Sequence, residues 1–171
     1  MKKGIKILLS TLAITLFTLS VNAQTEWVSQ KIGNKIIAKF PTAPIEVQAG
    51  AVYSLTDADS TNFTATFVDL EAMGLDSATL AGLVETEEFS EQFKTGLTSQ
   101  MPGVEVTKSD ITKWNDLVAY NIEGTNASKK EKVTFKCIFW GSKMFTFICT
   151  YRDSVGPKNK DIYINSLALI K

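Results

Sequence analysis

Apolar and polar positions along this chain change period several times, and each change marks an element. Two apolar runs, Trp27–Ile32 and Lys35–Phe40, flank Gly33-Asn34. Two such runs around a Gly-Asn pair predict a β-hairpin. Phe40-Pro41-Thr42-Ala43-Pro44 then ends the ladder, because proline has no N–H to donate. Ala51–Leu55 and Phe63–Leu70 read as two further strands, with turn chemistry at Asp57–Asn62 between them. The period next lengthens to three to five: Leu80, Leu83, Val84, Phe89, Phe93, Leu97 and Met101. Glu85, Glu87, Glu88 and Glu91 fall mostly on the other side. This predicts an amphipathic helix capped at Asp76-Ser77, broken near Thr86 and stopped by Pro102-Gly103.

Strand periodicity returns at Val104–Thr112 and Leu117–Glu123, around a turn at Trp114-Asn115-Asp116. It is strongest in Val133–Tyr151, which folds back near Gly141-Ser142. The register expected there sets Phe135 opposite Cys149, Cys137 opposite Phe147 and Phe139 opposite Phe145. All six side chains then enter one core. Gly156-Pro157 breaks the chain, and Asp161–Ile170 reads as a short closing helix with Ile162, Ser166 and Leu169 on one side. Strands, a helix, four more strands and a final helix define an α+β chain, an antiparallel sheet with helices packed on it. No repeat or long linker divides it.

The N-terminus changes the destination. Lys2, Lys3 and Lys6 precede the apolar stretch Ile7–Val21, which ends at Val21-Asn22-Ala23 before polar Gln24. That is the plan of a cleavable secretory signal. The stretch is short of the about 20 apolar residues a spanning helix needs. Residues 1–23 are therefore expected to be removed, leaving one domain at 24–171 without a membrane span, in the periplasm or the medium of a bacterium. Three of the 18 basic residues lie in the signal and no acidic ones do, which leaves 15 against 18 in the mature chain. This balance provides no basic footprint for nucleic acid.

Candidate chemistry is sparse. The chain has no His, which excludes His-based triads, His–zinc sites and the usual general base near neutral pH. Arg152 is its only Arg, so phosphate clamps built on the guanidinium fork are disfavoured. Asp57, Asp59 and Asn62 resemble the start of a calcium loop but lack the Gly and the closing Glu, and read as a turn. The sequons at Asn62 and Asn126 carry no sugar in a bacterial protein. Cys137 and Cys149 admit two readings, a disulfide or two buried thiols. Trp114, in a turn, and Trp140, at a hairpin tip, are the candidate partner-binding residues, because interfaces favour Trp on loops.

The early hairpin with its Phe40-Pro41 and Pro44 stop, the later twin hairpins and the closing Ile162-Tyr-Ile-Asn-Ser166-Leu segment resemble the PsbP-like superfamily, which includes the DcrB-like exported bacterial proteins. The resemblance spans nearly the whole mature chain. It implies an α-β-α sandwich around an antiparallel sheet and a mostly non-catalytic role; no cofactor and no metal are expected from the residues. It also implies binding to other proteins, as superfamily members bind a photosystem assembly or a small GTPase. No family binding motif maps onto a position here. The function expected is that of an exported, non-enzymatic accessory domain binding another envelope protein. The alternatives are a periplasmic module for a small apolar ligand and, third, a hydrolase using carboxylates or Ser.

Overall fold

The computed structural model describes residues 26–170; the expected signal, residues 1–23, lies outside them. Strands β1 (Val28–Ile32) and β2 (Ile36–Phe40) form the first hairpin. Its turn residues Gly33 and Asn34 both have positive φ, +53° and +54°. That is the primed turn whose twist matches paired strands. Strands β3 (Ile45–Gln48), β4 (Val52–Thr56) and β5 (Asn62–Asp69) follow.

Two helices come next, α1 (Ser77–Leu83) and α2 (Glu87–Ser99). The Asp76 carboxylate accepts from Thr79 N–H at 2.8 Å to start the first. Thr86, where a break is expected, is the N-cap of the second and accepts from Phe89 N–H. Then come β6 (Val104–Trp114), β7 (Leu117–Asn126), β8 (Glu131–Trp140) and β9 (Lys143–Arg152). The chain ends on α3 (Lys158–Asn165) and a two-residue strand, β10 (Ala168–Leu169).

Seven strands make one antiparallel sheet in the order β3-β4-β5-β9-β8-β7-β6, and β1-β2-β10 make a second. Helices α1 and α2 cover one face of the large sheet. Leu80, Val84, Phe89, Phe93 and Leu97 meet Tyr120, Ile122, Phe135, Cys137 and Phe139 there. The small sheet and α3 cover the other face, where Ile32, Ile36, Phe40 and Tyr163 meet Phe63, Phe145, Phe147 and Cys149. Tyr163 anchors α3, with its ring 5.2 Å from both Phe40 and Phe63 and its hydroxyl donating to Thr64 O at 2.8 Å.

Three expectations are corrected. The closing segment is not one helix: α3 ends at Asn165, Tyr163 rather than Ile162 is its buried residue, and Ala168-Leu169 pair with β2. Ile45–Gln48, unassigned in sequence, is an edge strand. The β8–β9 register also differs by one residue: Phe135 faces Ile148, Cys137 faces Thr146 and Phe139 faces Met144. The cause is the turn. Gly141 takes φ +61° and Ser142 does not, which closes a two-residue loop and pairs Trp140 with Lys143. A one-residue slip reverses every side chain of one strand relative to the other. The six residues therefore divide between two cores, with Phe135, Cys137 and Phe139 under the helices and Phe145, Phe147 and Cys149 under the small sheet.

Candidate binding groove

The residues singled out by sequence do not come together. Trp114 ends β6 and Trp140 ends β8, and both are half-buried against the small-sheet core. Lys35 Nζ sits 5.1 Å from the centre of the Trp140 ring. Trp27 packs edge-on to Phe63 at 5.7 Å. These rings close the ends of a core and are not free-standing.

Cys137 and Cys149 are free, buried and on opposite faces of the sheet. Cys149 also lies three residues beyond Thr146, the residue opposite Cys137. That offset is about 10 Å along the strand, beyond disulfide reach. The bond that the sequence left open is not made in this fold. Burial pushes both thiols up to about 12, so neither is a nucleophile near neutral pH.

The acidic candidates are engaged locally. Asp57 and Asp59 accept from Ala58 N–H and Thr61 N–H, each at 2.8 Å, and Asn159 donates to the other Asp59 oxygen at 3.1 Å. This is a turn, as expected. Among the described residues no group of three His, Cys, Asp or Glu is placed to hold a metal. Glu91 pairs with Lys94, and Glu85 with Lys113, on solvated surfaces.

The site that geometry offers is one the sequence did not announce. The helices cover only part of their face of the large sheet, which continues past them into β5, β4 and β3. A groove of about 730 Å³ opens there. Phe93, Gly96, Leu97 and Gln100 of α2 form one wall, and Val52, Thr66, Val68, Met144, Thr146 and Ile148 form the floor. A Cβ added at Gly96 would meet nothing within 4 Å, so this helical glycine contributes open space. Asp69, at one end, is neutralised by Lys143 at 2.8 Å; that ion pair and a backbone bond from Glu71 N–H hold its carboxyl below the ordinary range. No Lys or Arg lines the groove.

The groove reaches Gln48, on the edge strand β3. Ile45 and Val47 of this strand are 71% and 65% exposed. Glu46, its one charged residue, is exposed and bonded locally. Its carboxylate accepts from Gly50 N–H at 2.6 Å and from the Tyr53 hydroxyl at 3.2 Å.

Two signals for this region are present in the sequence. Gly96 interrupts an otherwise good helix. Residues 40–93 contain ten Asp and Glu and no Lys or Arg, although the chain has 18 of each class. That stretch builds β3, β4, β5, α1 and most of α2; the fold brings Lys143, Lys113 and Lys94 onto its Asp69, Glu85 and Glu91.

The architecture defines a class: an antiparallel α+β sandwich in which helices cover one face of the main sheet and a small sheet with a helix covers the other. Neither a family model nor a curated protein matches the sequence. Among solved structures, the fold is similar to that of cyanobacterial PsbP (CyanoP) from Synechocystis sp. PCC 6803. The TM-score is 0.59 and the identity 13%, over 88% of this chain and 98% of that one. LpqN, involved in cell envelope biogenesis of Mycobacterium tuberculosis, aligns with TM-score 0.49 and 11% identity over 88% of each chain. PA94, a protein of unknown function from Pseudomonas aeruginosa, aligns with TM-score 0.45 and 9% identity, over 82% of this chain and 92% of that one. The first of these carries the statement that the chain has a PsbP-like fold.

Proposed function

We propose that residues 24–171 act as one exported, non-catalytic accessory domain that binds another protein of the cell envelope. The observation that carries this reading is the exposure of Ile45 and Val47 on a sheet edge that nothing in the described chain covers. Exposed apolar residues on an open edge favour association. The PsbP-like fold, the lack of His and the protonated thiols support a binding role over a catalytic one. Among the described residues no helix is long and apolar enough to cross a membrane.

The test is crosslinked affinity capture of the tagged chain from its native host, followed by mass spectrometry. A reproducible envelope protein in the eluate is the expected result. A blank at several crosslinker lengths would sink the reading. Trp114→Ala and Trp140→Ala, on the opposite face of the sheet from the groove, report whether those rings take part.

A second reading has its own observation. The groove volume falls within the range of roughly 300–1,000 Å³ usual for small-molecule sites, and its lining is mostly apolar, with Thr hydroxyls, Gln48, Gln100 and the Lys143-paired Asp69, and no cation. It suits a neutral, largely apolar ligand. Gly96→Leu starts a side chain from a Cβ position with nothing within 4 Å and fills the open space. Native mass spectrometry should then show a bound small molecule on the wild type and none on this variant. An empty wild-type protein counts against the ligand.

A further inference from the structure

The two edges of the large sheet are unlike. The β6 edge is eleven residues long and guarded. It carries Lys108, Asp110 and Lys113, has a bulge between Val106 and Lys108, and is tied to the helix layer by the Lys113–Glu85 ion pair. Charged side chains, Lys above all, and bulges are the usual means of keeping a foreign strand off an edge. The β3 edge has no Lys and a single acidic residue, Glu46. Ile45 and Val47 stand out into solvent, Gln48 is neutral, and the carboxylate of Glu46 is held back by Gly50 and Tyr53. Its own protections are its length of four residues, Pro44 just before it and a bulge between Glu46 and Gln48. A partner strand therefore gains few main-chain hydrogen bonds, and its side chains must supply the selectivity.

The nature of those side chains follows from charge. β3 lies within the stretch 40–93, whose acidic residues nearest this edge are Glu46 on β3 itself and Asp57 and Asp59 in the turn that follows its partner β4; Asp69, Glu85 and Glu91 of the same stretch are paired with Lys143, Lys113 and Lys94. A segment carrying Lys or Arg meets an attractive field at this edge and an acidic segment a repulsive one. The same argument disfavours a second copy of this chain, since β3 paired with β3 would bring two such stretches together.

Resting on the reading of this chain as a protein-binding domain, we propose that β3 is a strand-addition site for a short, extended partner segment in which apolar residues alternate with Lys or Arg. The segment extends the large sheet by one strand. Its apolar side chains cover Ile45 and Val47, and its cations lie toward Glu46, Asp57 and Asp59.

The probe is a blocked eight-residue peptide of alternating lysine and valine, with its glutamate–valine counterpart as control, titrated against the full tagged chain. The lysine peptide should bind at least tenfold more tightly, weaken as salt rises, and slow hydrogen exchange at residues 45–48. Ile45→Lys and Val47→Lys should each weaken binding at least tenfold. Both sites are exposed, so these variants fold. Trp114→Ala, on the other edge, should not change peptide affinity. Equal affinity for the two peptides, no binding of either, or protection confined to other strands overturns the proposal. So does a dimer that dissociates with Val47→Lys, which would give the edge to a second copy. Capture from the native host separates this proposal from the reading beneath it. A partner recovered equally by wild type and Val47→Lys refutes the β3 site but leaves a protein-binding domain, whereas a partner lost with Val47→Lys supports the site. If wild type recovers none, the protein-binding reading fails, and the strand-addition site falls with it.

Discussion

Cys137 and Cys149 sit on neighbouring strands, yet the first faces the helices and the second faces the small sheet. Both are fully enclosed, and burial keeps both protonated far above neutral pH. The protein should therefore carry two free thiols even when isolated from an oxidising compartment. Intact-mass measurement after alkylation in denaturant should show two labels without prior reduction. Native alkylation at pH 8 should show none, and reductant should not move the melting midpoint. No label without reduction, or a midpoint that falls with reductant, would mean that a bond forms despite the register.

That register shows what the sequence can and cannot specify. The hairpin at Gly33-Asn34, the helix break at Thr86 and the turn at Asn115-Asp116 were legible because each rests on local chemistry: positive φ, an N-cap and again positive φ. β8 and β9 are central strands, apolar on both faces, as with Cys137, Ile138 and Phe139 in succession. Alternation then fits two registers equally well, and only the loop geometry at Gly141 decides. β3 escaped notice because all four of its residues are exposed, so no buried periodicity marks it. The groove arises from where α2 lies across the sheet, a tertiary property at which Gly96 alone hints in the sequence.

The tryptophans provide the next prediction. Trp114 and Trp140 each bury part of the ring against the core that includes Ile138 and Phe145. Complete truncation of a buried Trp costs about 3–5 kcal/mol. Half-buried rings should lose roughly half of that, about 1–3 kcal/mol, and the melting midpoint should fall by several degrees for either Trp→Ala variant. Binding by these variants must accordingly be measured well below their midpoints. An unchanged midpoint would show rings free of the core and restore them as a binding surface.

Between pH 6 and pH 11 the pH dependence should be one-sided. With no His, no side chain has its ordinary pKa between about pH 6 and pH 8. Above that, burial raises Cys137 and Cys149 from 9.0 to about 12, Tyr120 from 10.0 to about 12, and Tyr163 well above 10.0. The folded chain holds these protons where the unfolded chain releases them. Their contribution is complete below pH 9 and is lost as pH rises toward 12. Lys136, lowered by burial, works in the opposite direction but is a single half-buried group. Denaturation in urea at intervals from pH 6 to pH 11 should give a plateau and then a steep decline. The double variant Cys137→Ala/Cys149→Ala should have a shallower slope just above pH 9, whatever its absolute stability. A slope identical to wild type would assign the decline elsewhere.

The same substitution should have opposite signs at two glycines. Gly33 holds φ +53°, and an added Cβ would fall 2.5 Å from Phe67 Cδ2 and 2.9 Å from Phe145 Cε1. Neither ring can retreat easily, because Phe145 is fully buried and Phe67 packs on it at 5.3 Å. Left-handed backbone costs a non-glycine residue about 1–2 kcal/mol, and overpacking adds about 1–3 kcal/mol. Gly33→Ala should thus lose more than about 2 kcal/mol. Gly96 sits inside α2 with nothing within 4 Å of its would-be Cβ and no positive φ. There alanine removes only the entropic cost of a helical glycine, and Gly96→Ala should gain about 0.5–1 kcal/mol. Thermal melts of the two variants beside wild type measure both signs at once. A loss at Gly96 would mean that the wall of the groove is filled, and the site would have to be sought elsewhere on the molecule.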